Sequence, residues 1–217
     1  MARKKLTHKL NIFATIQSWF FKRQVKKNQR TLHLMNEECN IKNYQTVLDI
    51  GCGNGALSAS LHDLGLTVVA IDNSAHRIKI AKRKTKDLPI TFVKADALEP
   101  LPFKNKSFDI VMAAYLAHAF EREDRVKLYQ EMSRLAKHKV IIQDYTSHRT
   151  PWITFSEFVD GGHYYQFSEF PEKELKDVFN DLEEGFKEVT KVEINPYTAW
   201  YICTPKAQPK KASSSNN

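Results

Sequence analysis

The sequence predicts an α/β fold: a mostly parallel sheet with helices on both faces. Three observations carry this. The first is the run VLDIGCGNG from Val47 to Gly55, in which Val47, Leu48 and Ile50 make a short buried strand that ends in glycines at every second position. The second is the regular alternation, from there to Gln143, of short apolar β-branched runs with longer segments of helical period. The third is an acid at the end of the next apolar run: Asp72 lies 21 residues after Gly51, about the separation that places a carboxylate beside a ribose diol in a βαβ unit. Open parallel sheets bind ligands outside the carboxyl ends of their strands, so the candidate site lies at those ends.

Composition bounds the chain to one sizeable domain. It has 217 residues, 42% hydrophobic and 11% aromatic, which is a globular composition. The cysteines, Cys39, Cys52 and Cys203, are odd in number and far apart. That spacing argues against a disulfide framework, a zinc site or an iron–sulfur cluster, so no metal is expected and a reducing cytoplasm is the expected compartment. No apolar run is long enough to span a bilayer. The net charge of +8 sits at the ends: residues 1–30 hold nine basic residues and no acid, and Lys206, Lys210 and Lys211 follow Pro205. Without those twelve, 21 basic residues face 25 acids, so any nucleic-acid contact must rest on the termini.

The elements follow in order. Residues 1–40 read as a basic amphipathic helix, with Leu10, Phe13, Trp19, Phe20 and Val25 among lysines and arginines. Three roles compete for it: a cap over a ligand cleft, a surface helix meeting an anionic membrane, and an RNA contact, the last disfavoured because no RNA-binding module accompanies it. After the first strand and glycine turn, Ala56–Leu64 is a helix stopped by Gly65. Thr67–Ile71 is the second strand, and Asn73-Ser74 suits the start of a helix to about Thr85. Pro89–Lys94 is the third strand and Leu98–Lys106, with Pro100 and Pro102, a loop. Phe108–Met112 is the fourth strand, in which Asp109 is expected to be structural. Glu121–Lys137 is an amphipathic helix and Val140–Gln143 the fifth strand, with Asp144 and Tyr145 at its carboxyl end. Residues 147–167 gather aromatics around Gly161-Gly162 and read either as a lid or as a local cluster. A helix is expected over Pro171–Leu182, then two strand-like runs, Phe186–Ile194 and Tyr197–Thr204, close enough for a hairpin. Residues 206–217 are expected to be a disordered tail.

Asp49, Gly51, Gly53 and Gly55, then Asp72, Lys94-Ala95-Asp96-Ala97, SFDIVMAAY (Ser107–Tyr115) and VIIQDY (Val140–Tyr145), resemble in order the motifs of class I S-adenosylmethionine-dependent methyltransferases. The resemblance covers roughly residues 45–204. It implies a seven-stranded, Rossmann-like, three-layer α/β/α sheet whose last strand is antiparallel, with the domain at 41–205. It also implies S-adenosyl-L-methionine as cofactor. The cofactor-binding residues it points to are Asp49, Gly51, Gly53, Gly55, Asp72 with Asn73 at the ribose, Asp96 and Ala97 at the adenine, and Ala113 beside the methionine portion. Tyr115 and His118 would then face the transferring methyl, and with Asp144 and His163 they are the candidates for a base, where one is needed. Each also has a plainer reading as a packing or surface residue.

Absences narrow the acceptor. No Pro-Pro occurs, so the Asn/Asp-Pro-Pro-aromatic motif of amino-methylating enzymes is missing, and so are the paired cysteines of pyrimidine carbon-5 methylation. No Tyr-x-x-x-Lys pair supports a nicotinamide-dependent dehydrogenase. A small-molecule acceptor is the expectation; RNA or protein methylation through the basic termini, and a non-catalytic cofactor-binding relative, are the alternatives.

Overall fold

The computed structural model describes residues 2–146, 180–182 and 184–207, with side chains from Trp19 onward. The aromatic segment 147–167 with His163, most of the expected helix 171–182, and the tail from 208 lie outside the described residues.

A long helix, α1 (Ala2–Cys39), and a 3-10 turn (Ile41–Asn43) precede β1 (Thr46–Ile50). Then come α2 (Ala56–Asp63), β2 (Thr67–Asp72), α3 (Ala75–Lys84), β3 (Thr91–Lys94), β4 (Phe108–Ala114), a 3-10 turn (Ala117–Ala119), α4 (Arg122–Leu135), β5 (Ala136–Tyr145), β6 (Phe186–Asn195) and β7 (Thr198–Pro205). The strands form one seven-stranded sheet in the order β3-β2-β1-β4-β5-β7-β6. Strands β1 to β5 pair in parallel, and β7 is antiparallel to both β5 and β6. This is the expected sheet, including its antiparallel last strand.

The parallel strands alternate two buried sets. Val47, Val68, Ala70, Ile110, Met112 and Ile141 share a core with Leu57 and Leu61 of α2, Ile78 of α3, and Leu32 and Met35 of α1. Leu48, Ile50, Ile71, Val111, Val140 and Ile142 share the other with Leu128, Met132 and Leu135 of α4. Both faces are thus covered, as apolar strand runs require.

Local chemistry fixes the helix ends. Helix α2 closes in a Schellman arrangement: Gly65, at φ +92°, donates to His62 O and Leu66 donates to Leu61 O. Ser74 caps α3, its Oγ accepting from Arg77 N at 3.3 Å. Asp109 is structural, as expected. Its Oδ2 accepts from Gln45 N, Thr46 N and Thr46 Oγ1, its Oδ1 from Lys137 Nζ, and it ties β4 to the start of β1.

One expected boundary is displaced. Helix α4 stops at Leu135 and β5 begins at once with Ala136, four residues ahead of the expected Val140. Ala136, fully buried, pairs with Phe108 across a register shift, and that pairing outweighs the helix preference of Ala136-Lys137.

Candidate functional site

Beyond Ile50 the backbone folds back toward β2. Gly51 N and Cys52 N both donate to Ile71 O at 2.9 Å. The glycines here serve different ends. At Gly53, φ +54°, an added Cβ would meet nothing within 4 Å, so the turn presents bare backbone to open space. At Gly55, φ +82°, a Cβ would lie 3.1 Å from Ala81 Cβ and 3.4 Å from its Cα, so glycine lets α2 start close against α3. A Cβ on Gly51 would lie 3.0 Å from the Leu116 side chain, which places the segment after β4 directly against the turn.

Asp72, at the tip of β2 and 6% exposed, joins the parts. Its Oδ2 accepts from Gly53 N and its Oδ1 from Ser74 N, both at 2.9 Å, so one carboxylate pins the glycine turn to the start of α3. A carboxylate has about four acceptor sites, so these two bonds leave capacity for a diol. Asn73 stands exposed beside it. Ala95 N donates to Asp72 O at 3.2 Å and brings the tip of β3 alongside. There Asp96 is exposed, its Oδ1 accepting from Leu98 N at 3.0 Å, and Ala97 is half-buried. Ala113 is buried at the end of β4, paired with Ile50 on one side and Ile142 on the other.

Asp49 lies beneath the turn, 1% exposed, its Oδ2 accepting from Ser58 Oγ at 2.6 Å. Burial pushes its pKa up to about 6, against the Ser58 hydrogen bond that lowers it and with a further upward push from the Asp72 charge. Burial, with Asp49 and Asp72 nearby, likewise raises the Cys52 thiol far above its ordinary range, which keeps it an unreactive thiol.

Three of the four candidate bases come together where the segment after β4 meets the end of β5. The His118 Nδ1 lies 2.8 Å from Asp144 Oδ1, Asp144 Oδ2 accepts from His118 N at 3.0 Å, and Oδ1 also accepts from Tyr145 N at 2.8 Å. An ionised carboxylate only accepts, so Nδ1 carries the hydrogen, and when the ring is neutral Nε2 is its basic nitrogen. Both side chains are largely buried. Tyr145 flanks the pair, its ring 5.0 Å from His118 and 5.1 Å from Tyr115. Tyr115 has a left-handed backbone, φ +51°, uncommon for a bulky residue and stabilised by two bonds to one neighbour. Tyr115 N donates to Gln143 O at 2.7 Å, and Gln143 Nε2 donates to Tyr115 Oη at 3.1 Å.

The sequence missed Gln143 as the anchor of Tyr115. Its place at the carboxyl end of β5 was the available signal. It also missed a link from α1 to the glycine turn, where Asn54 Nδ2 donates to Gln24 Oε1 at 2.7 Å and Asn54 Oδ1 accepts from Ala56 N at 3.0 Å. A side-chain amide inside the glycine run was the signal there.

Residues 47–139 match the family model of a methyltransferase domain. The chain is 38% identical over 109 residues to a demethylmenaquinone methyltransferase of Renibacterium salmoninarum, covering 49% of this chain and 43% of that protein. The match therefore spans less than half of that curated relative's length. With a demethylmenaquinone methyltransferase of Oceanobacillus iheyensis it shares 29% identity over 206 residues, 82% of each. Its fold is similar to that of the PH0226 protein from Pyrococcus horikoshii OT3, with a TM-score of 0.64 at 22% identity, over 83% of this chain and 91% of that one.

Proposed function

We propose, from the premise that this chain belongs to the class I S-adenosylmethionine-dependent methyltransferases, that it moves the cofactor's methyl group to a small-molecule acceptor from which His118 removes a proton. The observation that carries the cofactor half is Asp72: a nearly buried carboxylate that holds the open backbone of Gly53 and keeps acceptor sites for a ribose. Gly53 gives the amino-acid portion room against the main chain, while Gly51 lets Leu116 close against the turn from the β4 side. Asn73 lies beside the ribose position, Asp96 and Ala97 receive the adenine, and Ala113 backs the methionine. Asp49 shapes the turn from beneath. When bound, the cofactor supplies a methyl already activated on a sulfonium.

The protein's remaining tasks are alignment, exclusion of water and removal of the acceptor's proton. Asp144 fixes the His118 ring and its tautomer and stabilises the imidazolium that forms when Nε2 takes the proton. Tyr115 and Tyr145 furnish an aromatic wall suited to a planar acceptor. The relatives named as demethylmenaquinone methyltransferases favour this acceptor class over RNA or protein. Cys39, Cys52 and Cys203 are free thiols. No helix among the described residues is long and apolar enough to cross a membrane.

Calorimetry and single-turnover kinetics test the two halves separately. S-adenosylhomocysteine should bind and NAD should not, and Asp72→Ala should weaken that binding by about tenfold or more, about 1.4 kcal/mol. Equal affinity for the two ligands, or an unchanged Asp72→Ala, refutes the cofactor site. With a 1,4-naphthoquinol as acceptor, His118→Ala should lower the rate at neutral pH by about a hundredfold or more while leaving S-adenosylhomocysteine affinity intact.

A further inference from the structure

We propose that the outward face of α1 docks this protein on an anionic lipid bilayer, an interaction independent of the acceptor's identity. From Trp19 onward the helix has two sides. Phe21, Val25, Asn28, Leu32 and Met35 turn inward, half-buried or buried, while Trp19, Phe20, Lys22, Arg23, Lys26, Lys27 and Arg30 turn outward and are exposed. Trp19 and Phe20 are 54% and 55% exposed although they are the largest apolar side chains on that face. Trp19, Arg23, Lys26 and Arg30 fall at helical spacing along one stripe. The five basic residues enter none of the ion pairs among the described residues, and no acid occurs in the first thirty residues.

A row of cations beside adjacent exposed aromatics complements a surface that is anionic outside and apolar just below. The aromatics enter the headgroup boundary, while the long basic stems keep their charges at its level. The ring geometry favours lipid over nucleic acid. The Arg23 guanidinium sits 5.3 Å from the Trp19 ring, and Phe20 meets Trp19 edge-on at 5.1 Å and 80°. Those rings engage each other and Arg23, whereas single-stranded nucleic acid needs open aromatic faces on which to stack bases.

Docking here would hold the rest of the molecule at a fixed attitude, because α1 is tied to the site side. Gln24 accepts from Asn54 in the glycine turn, and Ser60 Oγ of α2 donates to Val25 O at 3.2 Å. The aromatic pair thus lies within two turns of helix of the cofactor turn's own hydrogen-bond partner.

The test is flotation of the full chain with phosphatidylcholine vesicles, with and without phosphatidylglycerol. Binding should require phosphatidylglycerol and fall steeply with added salt. Trp19→Ala/Phe20→Ala and, separately, Lys26→Glu/Arg30→Glu should each weaken it by about tenfold or more, while both bind S-adenosylhomocysteine like the parent and so remain folded. The proposal is overturned by absence of binding, by equal binding to neutral vesicles, by variants that bind as the parent does, or by capture of poly(U) RNA in preference to anionic vesicles. Because cofactor affinity is read on the same samples, failure to dock and failure of the methyltransferase reading give different results.

Discussion

Single residues divide the work at the glycine turn, and substitution should separate their roles. Gly53 and Gly55 both have positive φ, so alanine at either costs about 1–2 kcal/mol of backbone strain. Only at Gly55 does the new methyl also press on the α3 backbone, through Ala81; at Gly53 it enters open space. Gly55→Ala should therefore lower Tm more than Gly53→Ala, and Gly53→Ala should lose more S-adenosylhomocysteine affinity for its smaller loss of stability. Differential scanning fluorimetry and calorimetry on the pair check this; the reverse ranking in both would refute the division. These positions were readable from the sequence because glycine is needed for local reasons, and Ser74 was readable as a cap for the same cause. The bonds from Gln143 to Tyr115 and from Asn54 to Gln24 join residues 28 and 30 apart, so local position marked Gln143 and Asn54 but not the partner each would meet.

At the scale of elements, α1 packs on the body along one apolar stripe, with hydrogen bonds at Gln24, Val25 and Gln29 beside it. Leu32 and Met35 are fully buried against α2 and the sheet, while the rest of the helix face is half-exposed. Leu32→Ala should cost about 2–4 kcal/mol, felt first by α1, whose fully buried side chains among the described residues are Leu32 and Met35. Hydrogen exchange should show residues 19–39 losing protection while β1, β4 and β5 keep theirs; uniform loss would mean that the helix is part of the cooperative core. Amphipathic periodicity made this helix legible, but it left the destination of Trp19 and Phe20 open between cleft and solvent. The α4–β5 junction was illegible for a complementary reason. Ala136-Lys137 suits a helix locally, and only the distant partner Phe108 makes it strand.

For the whole molecule, the buried Asp49 carboxyl sets a dependence of stability on pH. Its pKa rises from an ordinary value near 3.8 to about 6 on folding, so between those values the folded state holds the extra proton. Stability from this group is greatest below 3.8 and falls as pH rises through 6, by up to about 3 kcal/mol. Asp109 works the other way. Despite some burial, its bonds from Lys137, Gln45 and Thr46 hold its pKa well below the usual range, so it favours folding once ionised. Comparing Asp49→Asn with the parent removes the Asp109 contribution from the difference. The variant should be about equally stable at pH 4 and more stable by roughly 2–3 kcal/mol at pH 7.5 in urea titrations. A difference that is constant with pH would show that Asp49 does not titrate on folding.

The two rims of the sheet are built unlike its middle. On one side stands β3, only four residues long. On the other, β6 alternates exposed Lys187, Glu188, Lys191 and Glu193. A neighbouring copy seeking to extend this ribbon would find either too little length to grip or a row of mixed charges that must be stripped of water first. At high local concentration, that reluctance disfavours strand-to-strand fusion of copies into fibres.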